Sequence, residues 1–268
     1  MEILEYTFFQ NALLGIILIA ITSAIIGTYV VTRRMVFIAG GITHTCFGGL
    51  GLGYFLSVNP ILMAIVFAIA GALGVDLLAS KNIRKDSAIA VVWALGMALG
   101  ILFIFMSSGF VPELNAFLFG NVLAISLSDI CLFLAFTLIL LIVFLLLYKR
   151  IVAISFDEDF ARTRHLPVTI INTVMSVLTA VAIVLIIKMI GVMLLVSMIT
   201  LPVISAEKRT FRYTSLLLFS IITSIITSVA GLFAAYFLSV PASATIVLLQ
   251  CLTLLLISLL PTPSPSRP

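Results

Sequence analysis

Long stretches of this chain carry no Asp, Glu, Lys or Arg, and they constrain its fold more than any other feature. They include residues 6–32, 35–75, 87–112, 130–148, 189–206 and 213–266. Crossing roughly 30 Å of hydrocarbon takes about 20 apolar residues in a helix. Inside such a span every backbone N–H and C=O must be paired internally, which leaves helices or closed barrels. Strand alternation is absent, so helices are expected rather than a barrel. The run 35–75 is too long for one span, and Asn59-Pro60 supplies a turn near its middle. The run 213–266 divides likewise at Ser239-Val240-Pro241. Spans are expected near 7–32, 36–57, 61–79, 87–107, 128–148, 168–187, 190–206, 214–238 and 242–260. The seventh is short and contains Pro202, so eight full spans plus one broken helix fit equally well. The expected fold class is an all-α polytopic membrane protein of eight or nine transmembrane helices. Residues 1–260 form one transmembrane domain and the Pro/Ser-rich 261–268 a flexible tail.

Composition narrows the function classes. Only 9% of the 268 residues are charged and 63% are hydrophobic, against about 25% charged in soluble domains. So few charges cannot supply a polar skin. A soluble enzyme, a nucleic-acid binder and a disordered chain are therefore excluded. The net charge of +4 reports basic loops instead. With nine spans, Arg33, Arg34, Lys81, Arg84, Lys85, Lys149, Arg150, Arg162, Arg164, Lys208, Arg209, Arg212 and Arg267 share one side. Lys188 alone takes the other. Thirteen of the 14 basic residues thus mark the cytoplasmic face by the positive-inside rule, with the N-terminus outside. The first segment does not read as a cleavable signal peptide. Its apolar run is too long, and Glu2 and Glu5 stand where basic residues belong.

Familiar catalytic signatures are missing: there is no P-loop, HExxH or GxSxG motif. Cys46, Cys131 and Cys251 have no metal or disulfide spacing and read as small apolar residues. Asp76, about one turn from the cytoplasmic end, is expected to pair near Lys81 and Arg84. Asn172, Thr179, Thr200 and Gln250 are expected to hydrogen-bond between helices.

One ionisable group lies deep. His44 is ten residues past Arg34, or about 15 Å into the membrane at 1.5 Å per residue. An ionisable residue at that depth marks a substrate or proton path by default. It lies in Gly40-Gly41-Ile42-Thr43-His44-Thr45-Cys46-Phe47-Gly48-Gly49-Leu50-Gly51-Leu52-Gly53, which holds six glycines. Gly40 and Gly48, four residues either side, share the face of His44. With Gly41 they are expected to line the path or pack closely.

The longest hydrophilic segment runs from Ser155 to Pro167. Ser155 with Glu158 matches a capping box. Asp157, Glu158 and Asp159 precede Arg162 and Arg164, in the order the helix dipole favours. Phe156 and Phe160 share an apolar face. A short capped helix with exposed aromatics is expected to contact a protein partner or the lipid headgroups.

Several segments resemble the permease subunit of the ABC importers for zinc, manganese and iron. They are Arg33-Arg34-Met35-Val36-Phe37-Ile38 leading into Ile42-Thr43-His44-Thr45, then Asp86-Ser87-Ala88-Ile89, and Phe117-Leu118-Phe119-Gly120-Asn121-Val122-Leu123-Ala124. Ser155-Phe156-Asp157 with Ala161 and Leu166-Pro167 follows. Gly191-Val192-Met193-Leu194-Leu195-Val196 and Leu201-Pro202-Val203-Ile204-Ser205-Ala206 complete the series. The similarity runs from about residue 10 to 255.

The resemblance implies the ABC metal-importer permease fold in a bacterial cytoplasmic membrane. It implies a homodimer with a central path, two copies of a cytoplasmic ATPase and an extracytoplasmic metal-binding protein. The chain itself would be no enzyme, because ATP is hydrolysed on the partner. It would hold no permanent cofactor, only the divalent metal ion in transit. His44 would touch that ion, and Ser155, Phe156, Asp157, Glu158, Phe160, Arg162 and Leu166 would form the ATPase-coupling loop. The chain departs from the family at Gly40, where the family usually has Asp. Imidazole without that carboxylate suits zinc, copper, iron or nickel better than manganese, so zinc is favoured. The alternatives are a permease for metal chelates of siderophore or cobalamin type and, from another class, a secondary transporter. The latter expects several charged groups at mid-depth.

Overall fold

A computed structural model of the chain describes residues 5–107 and 120–261. Among these it contains nine helices and no strand. They are α1 (Thr7–Thr32), α2 (Phe37–Phe55), α3 (Pro60–Ser80), α4 (Lys85–Met106), α5 (Leu127–Phe156), α6 (Glu158–Thr163), α7 (Val168–Glu207), α8 (Tyr213–Leu238) and α9 (Ala242–Leu259), with a 3-10 turn at Val122–Ala124. The Phe117–Phe119 part of the sequence motif and the tail after Pro261 lie outside the described residues.

The punctuation follows local chemistry. Asn59 caps α3, its side-chain oxygen accepting from the backbone N–H of Ile61 at 3.0 Å and of Leu62 at 3.3 Å. Pro60 takes the first helical position, where its missing N–H costs nothing. α2 ends with the Val58 N–H on the Gly53 carbonyl and the Ser57 N–H on the Tyr54 carbonyl, Ser57 being left-handed at φ 56°. This is a Schellman stop with serine in the usual glycine position.

Seven helices, α1, α3, α4, α5, α7, α8 and α9, are long and apolar enough to cross a membrane. α2 is not among them, because its glycines and His44 dilute its hydropathy. Two expectations need correction. α5 continues to Phe156 instead of stopping near 148, since Lys149 and Arg150 are good helix formers. The expected segments 168–187 and 190–206 are not divided by a loop. They meet within α7 at Gly191, whose φ of 79° and ψ of 174° break the helix. That region of backbone space is essentially restricted to glycine. The break is thus set by Gly191 and not by Pro202, which sits inside the second piece. Gly120, also left-handed at φ 58°, lies against the break: a Cβ on it would be 2.3 Å from the Gly191 nitrogen.

The chain divides into two compact units. One comprises residues 1–32, 117–146 and 189–268. In it α1 packs on α8 and α8 on α9, with Phe9 edge-on to Phe233 at 5.3 Å between centroids. A buried hydrogen bond of 2.9 Å joins the hydroxyls of Thr22 and Thr137. The other unit comprises 33–116 and 147–188. It holds α2, α3, α4, α6 and the flanking ends of α5 and α7, and it contains His44 with its glycines and the 155–166 segment.

Candidate functional site

α2 is wedged between α3 and α4 by glycine. A Cβ on Gly48 would meet the Gly96 carbonyl oxygen at 2.9 Å, and one on Gly51 the Gly100 carbonyl at 2.6 Å. Approach this close is the use membranes make of small residues. The contacts advance together along the two chains, from Gly41 on Ile89 to Gly51 on Gly100, so α2 and α4 run parallel. On the α3 side a Cβ on Gly49 would lie 2.3 Å from the Met63 carbonyl oxygen, and Gly53 faces Pro60. The order is reversed, so α3 is antiparallel. Gly41 and Gly48 are therefore packing residues against neighbouring helices.

His44 and Gly40 are half-exposed, on the open side of this sandwich. The His44 ring stacks on Trp93 of α4, with centroids 4.3 Å apart and planes 12° apart. Its Nδ1 lies 3.3 Å from Met97 Sδ. Trp93 and Met97 are four residues apart and share one face of α4. The same indole covers Gly40: a Cβ there would be 3.3 Å from Trp93 Cζ3. Trp93 thus borders the space beside Gly40 into which an aspartate would project. Cys46, two residues on, is fully buried, and its Sγ–H donates to the Ile42 carbonyl at 3.0 Å. It faces away from His44. Among the described residues no group of three His, Cys, Asp or Glu comes together to hold a metal.

The 155–166 segment forms a second cluster. Ser155 belongs to the last turn of α5, is buried, and its hydroxyl has no hydrogen-bond partner among the described residues. The expected Ser155–Glu158 capping box is therefore absent. α5 runs through Phe156, with the Asp157 N–H still on the Ala153 carbonyl, so the next cap falls on Asp157. Its side chain accepts from the Phe160 N–H at 2.8 Å. α6 closes with the Leu166 N–H on the Ala161 carbonyl, and His165 is left-handed at φ 55°. Phe156 and Phe160 remain 66% and 54% exposed, while Leu166 is half-buried.

Glu158 points back at the helix ends. It pairs with Arg33 at 2.5 Å, Arg162 at 2.8 Å and Lys85 at 3.7 Å. Arg33, with a side chain only 5% exposed, also donates to the side-chain oxygen of Asn172. One carboxylate therefore ties α6 to the residue after α1, the first residue of α4 and the first turns of α7. Burial pushes the Glu158 carboxyl up. The Arg162 hydrogen bond and the charges of Arg33 and Lys85 outweigh burial and hold it below the ordinary carboxylate value.

Several sequence expectations change here. Arg33 and Arg34 were alike as topology markers, yet the Arg33 side chain is enclosed in this cluster and Arg34 is exposed. Asp76 does not pair with Lys81 or Arg84. Its carboxylate accepts from the Ser176 hydroxyl at 2.7 Å, and Arg84 lies 4.0 Å from Asp86. Thr200 bonds within its own helix, to the Val196 carbonyl. Thr179 and Gln250 have no hydrogen-bond partner among the described residues. Trp93, Met97, Lys85 and Asn172 had no motif to announce them. The available signal was the i, i+4 spacing of Trp93 and Met97 on a span.

Residues 5–261 match the model of the ABC 3 transport family. A probable metal transport system membrane protein of Chlamydia pneumoniae is 37% identical, over 86% of this chain and 81% of its own length. The manganese transport system membrane protein MntC of Halalkalibacterium halodurans is 28% identical, over 92% and 85%. Among solved structures, PsaBC from Streptococcus pneumoniae in complex with Fab superposes with a TM-score of 0.83 and 27% identity, covering 96% of this chain and 92% of its own.

Proposed function

The chain belongs to the ABC 3 transport family, and from that premise we propose that it is the multi-pass permease of an ATP-driven importer for a divalent transition-metal ion. The observation that carries the cargo assignment is His44. It is an imidazole in α2, open on one side and held between α3 and α4 by close glycine contacts. The relatives named as metal and manganese permeases support a metal as cargo. Zinc is favoured over manganese, because an imidazole without a carboxylate suits the borderline cation. Residues 1–260 act as one permease, and two copies place a His44 on either side of a shared path.

The work of transport is split between subunits. ATP is hydrolysed on a separate cytoplasmic ATPase dimer, and an extracytoplasmic protein delivers the ion. α6 is the coupling element, with Phe156 and Phe160 seated in the ATPase. Glu158 carries displacement of α6 to Arg33, in the short link between α1 and α2, and to Lys85 at the start of α4. Those are the two helices that hold His44 and its neighbours. A transport site must release its ion as well as bind it, which fits a site with few ligands.

The test is ATP-driven uptake of zinc, manganese and iron into proteoliposomes holding the permease and its ATPase. His44→Ala is expected to lower uptake at least tenfold while the assembled complex still purifies. Unchanged uptake would remove His44 from the path.

A further inference from the structure

We propose that Met97 and Trp93 complete the His44 site and make it selective for a borderline-to-soft cation, with zinc as the divalent example, against manganese. This rests on the reading of the chain as a metal permease and specifies the cargo of that same site.

Three observations converge on it. First, His44 Nδ1 and Met97 Sδ are 3.3 Å apart. Metal bonds of about 2.0 Å to imidazole nitrogen and about 2.3 Å to thiolate sulfur, at the tetrahedral angle, separate the two ligand atoms by about 3.5 Å, and a thioether bond is no shorter. The pair is spaced to share one ion with little movement. Secondly, the donor set is imidazole plus thioether. Thioether sulfur selects soft ions, imidazole suits zinc and copper, and manganese wants carboxylate, carbonyl or water oxygen. Thirdly, the indole of Trp93 stacks on His44 and borders the space beside Gly40. It crowds a carboxylate added at residue 40 and presents a π face, which attracts a cation electrostatically. All four residues lie at least partly open to the surface, so an ion can arrive and leave.

The chain supplies its own probe, because Trp93 is its only tryptophan. Purified full-length permease is titrated with zinc chloride and with manganese chloride while tryptophan emission is followed. Zinc is expected to change the emission saturably, at concentrations at least tenfold below manganese. Met97→Leu keeps the apolar volume and removes the sulfur; it is expected to weaken zinc at least tenfold more than manganese. Met97→Cys restores a sulfur and is expected to recover zinc, which separates ligation from packing even where Met97→Leu purifies poorly. In reconstituted uptake, Gly40→Asp combined with Trp93→Ala is expected to shift preference toward manganese. An unaltered zinc-to-manganese ratio in Met97→Leu, or failure of Met97→Cys to hold zinc, overturns the proposal. The uptake assay separates the two levels of inference. Wild-type vesicles that accumulate no metal overturn both the importer reading and this one. Wild-type vesicles that accumulate metal with a ratio indifferent to Met97 overturn this one alone.

Discussion

Gly96→Ala tests the packing that positions His44. A Cβ at residue 96 would lie 2.5 Å from Thr45 Cα and 3.2 Å from the His44 carbonyl oxygen. Both are backbone atoms, and no side-chain rotation relieves the clash. Ordinary contact begins near 3.4 Å, so α2 and α4 must part by roughly 1 Å over this turn. Forcing one methyl into a closed interface costs about 1–3 kcal/mol. For a chain of this size that lowers the thermal midpoint by on the order of 5 °C. Gly74→Ala is the matched control. Its Cβ would meet only Val92 Cγ2, at 3.6 Å, an ordinary contact. Relieved of glycine's poor helix propensity, it is expected to be neutral or to gain up to about 1 kcal/mol. Both are measured as the loss of monodisperse permease on size exclusion after heating. The wedge also displaces Met97 from His44, so Gly96→Ala should weaken zinc binding where Gly74→Ala does not. Equal midpoints for the two variants would refute the close approach of α2 and α4.

Three further outcomes are expected. Glu158 is held below the ordinary carboxylate value, so its contribution to stability is fully present above its unfolded pKa, about 4.3. It is lost as pH falls through the lower folded value. In thermal melts between pH 3 and 7, Glu158→Gln should therefore flatten the acid limb seen in the wild type. Replacing Phe156 and Phe160 by Asp should leave the thermal midpoint within a few degrees, because both are exposed. It should abolish co-purification of the ATPase and metal-stimulated ATP hydrolysis. Gly191→Ala should cost about 1–3 kcal/mol through backbone strain alone, read as a lower midpoint without loss of any side-chain contact.

Much of the fold was legible because membranes impose a simple rule. A span must be long, apolar and self-bonded, and Asn59-Pro60 and Ser239-Val240-Pro241 interrupt the pattern with chemistry that ends helices. A broken helix near the seventh expected span was legible, but not that the break falls at Gly191. A conformation reserved for glycine at Gly191 looks in sequence like any packing glycine. The capping box was misplaced for a related reason. Ser155 and Glu158 have the right spacing, but whether Ser155 starts one helix or finishes another depends on how far α5 runs.

The residues around His44 divide the same way. Depth below Arg34 and the scarcity of charge singled out the imidazole, and the same scarcity exposed the missing carboxylate at Gly40. Those are one-dimensional facts, readable from spacing along a helix. That Trp93 covers Gly40, that Met97 Sδ lies 3.3 Å from His44 Nδ1, and that Arg33 turns inward to Glu158 are facts about residues 53 to 125 positions apart. They exist only because glycines let α2 and α4 close on each other and because one carboxylate gathers three cations. Local pattern determined which segments are apolar enough to enter the membrane and where the deep imidazole sits along its helix. Packing between distant segments decided what surrounds it, since side-chain proximity across helices leaves no period in the sequence to read.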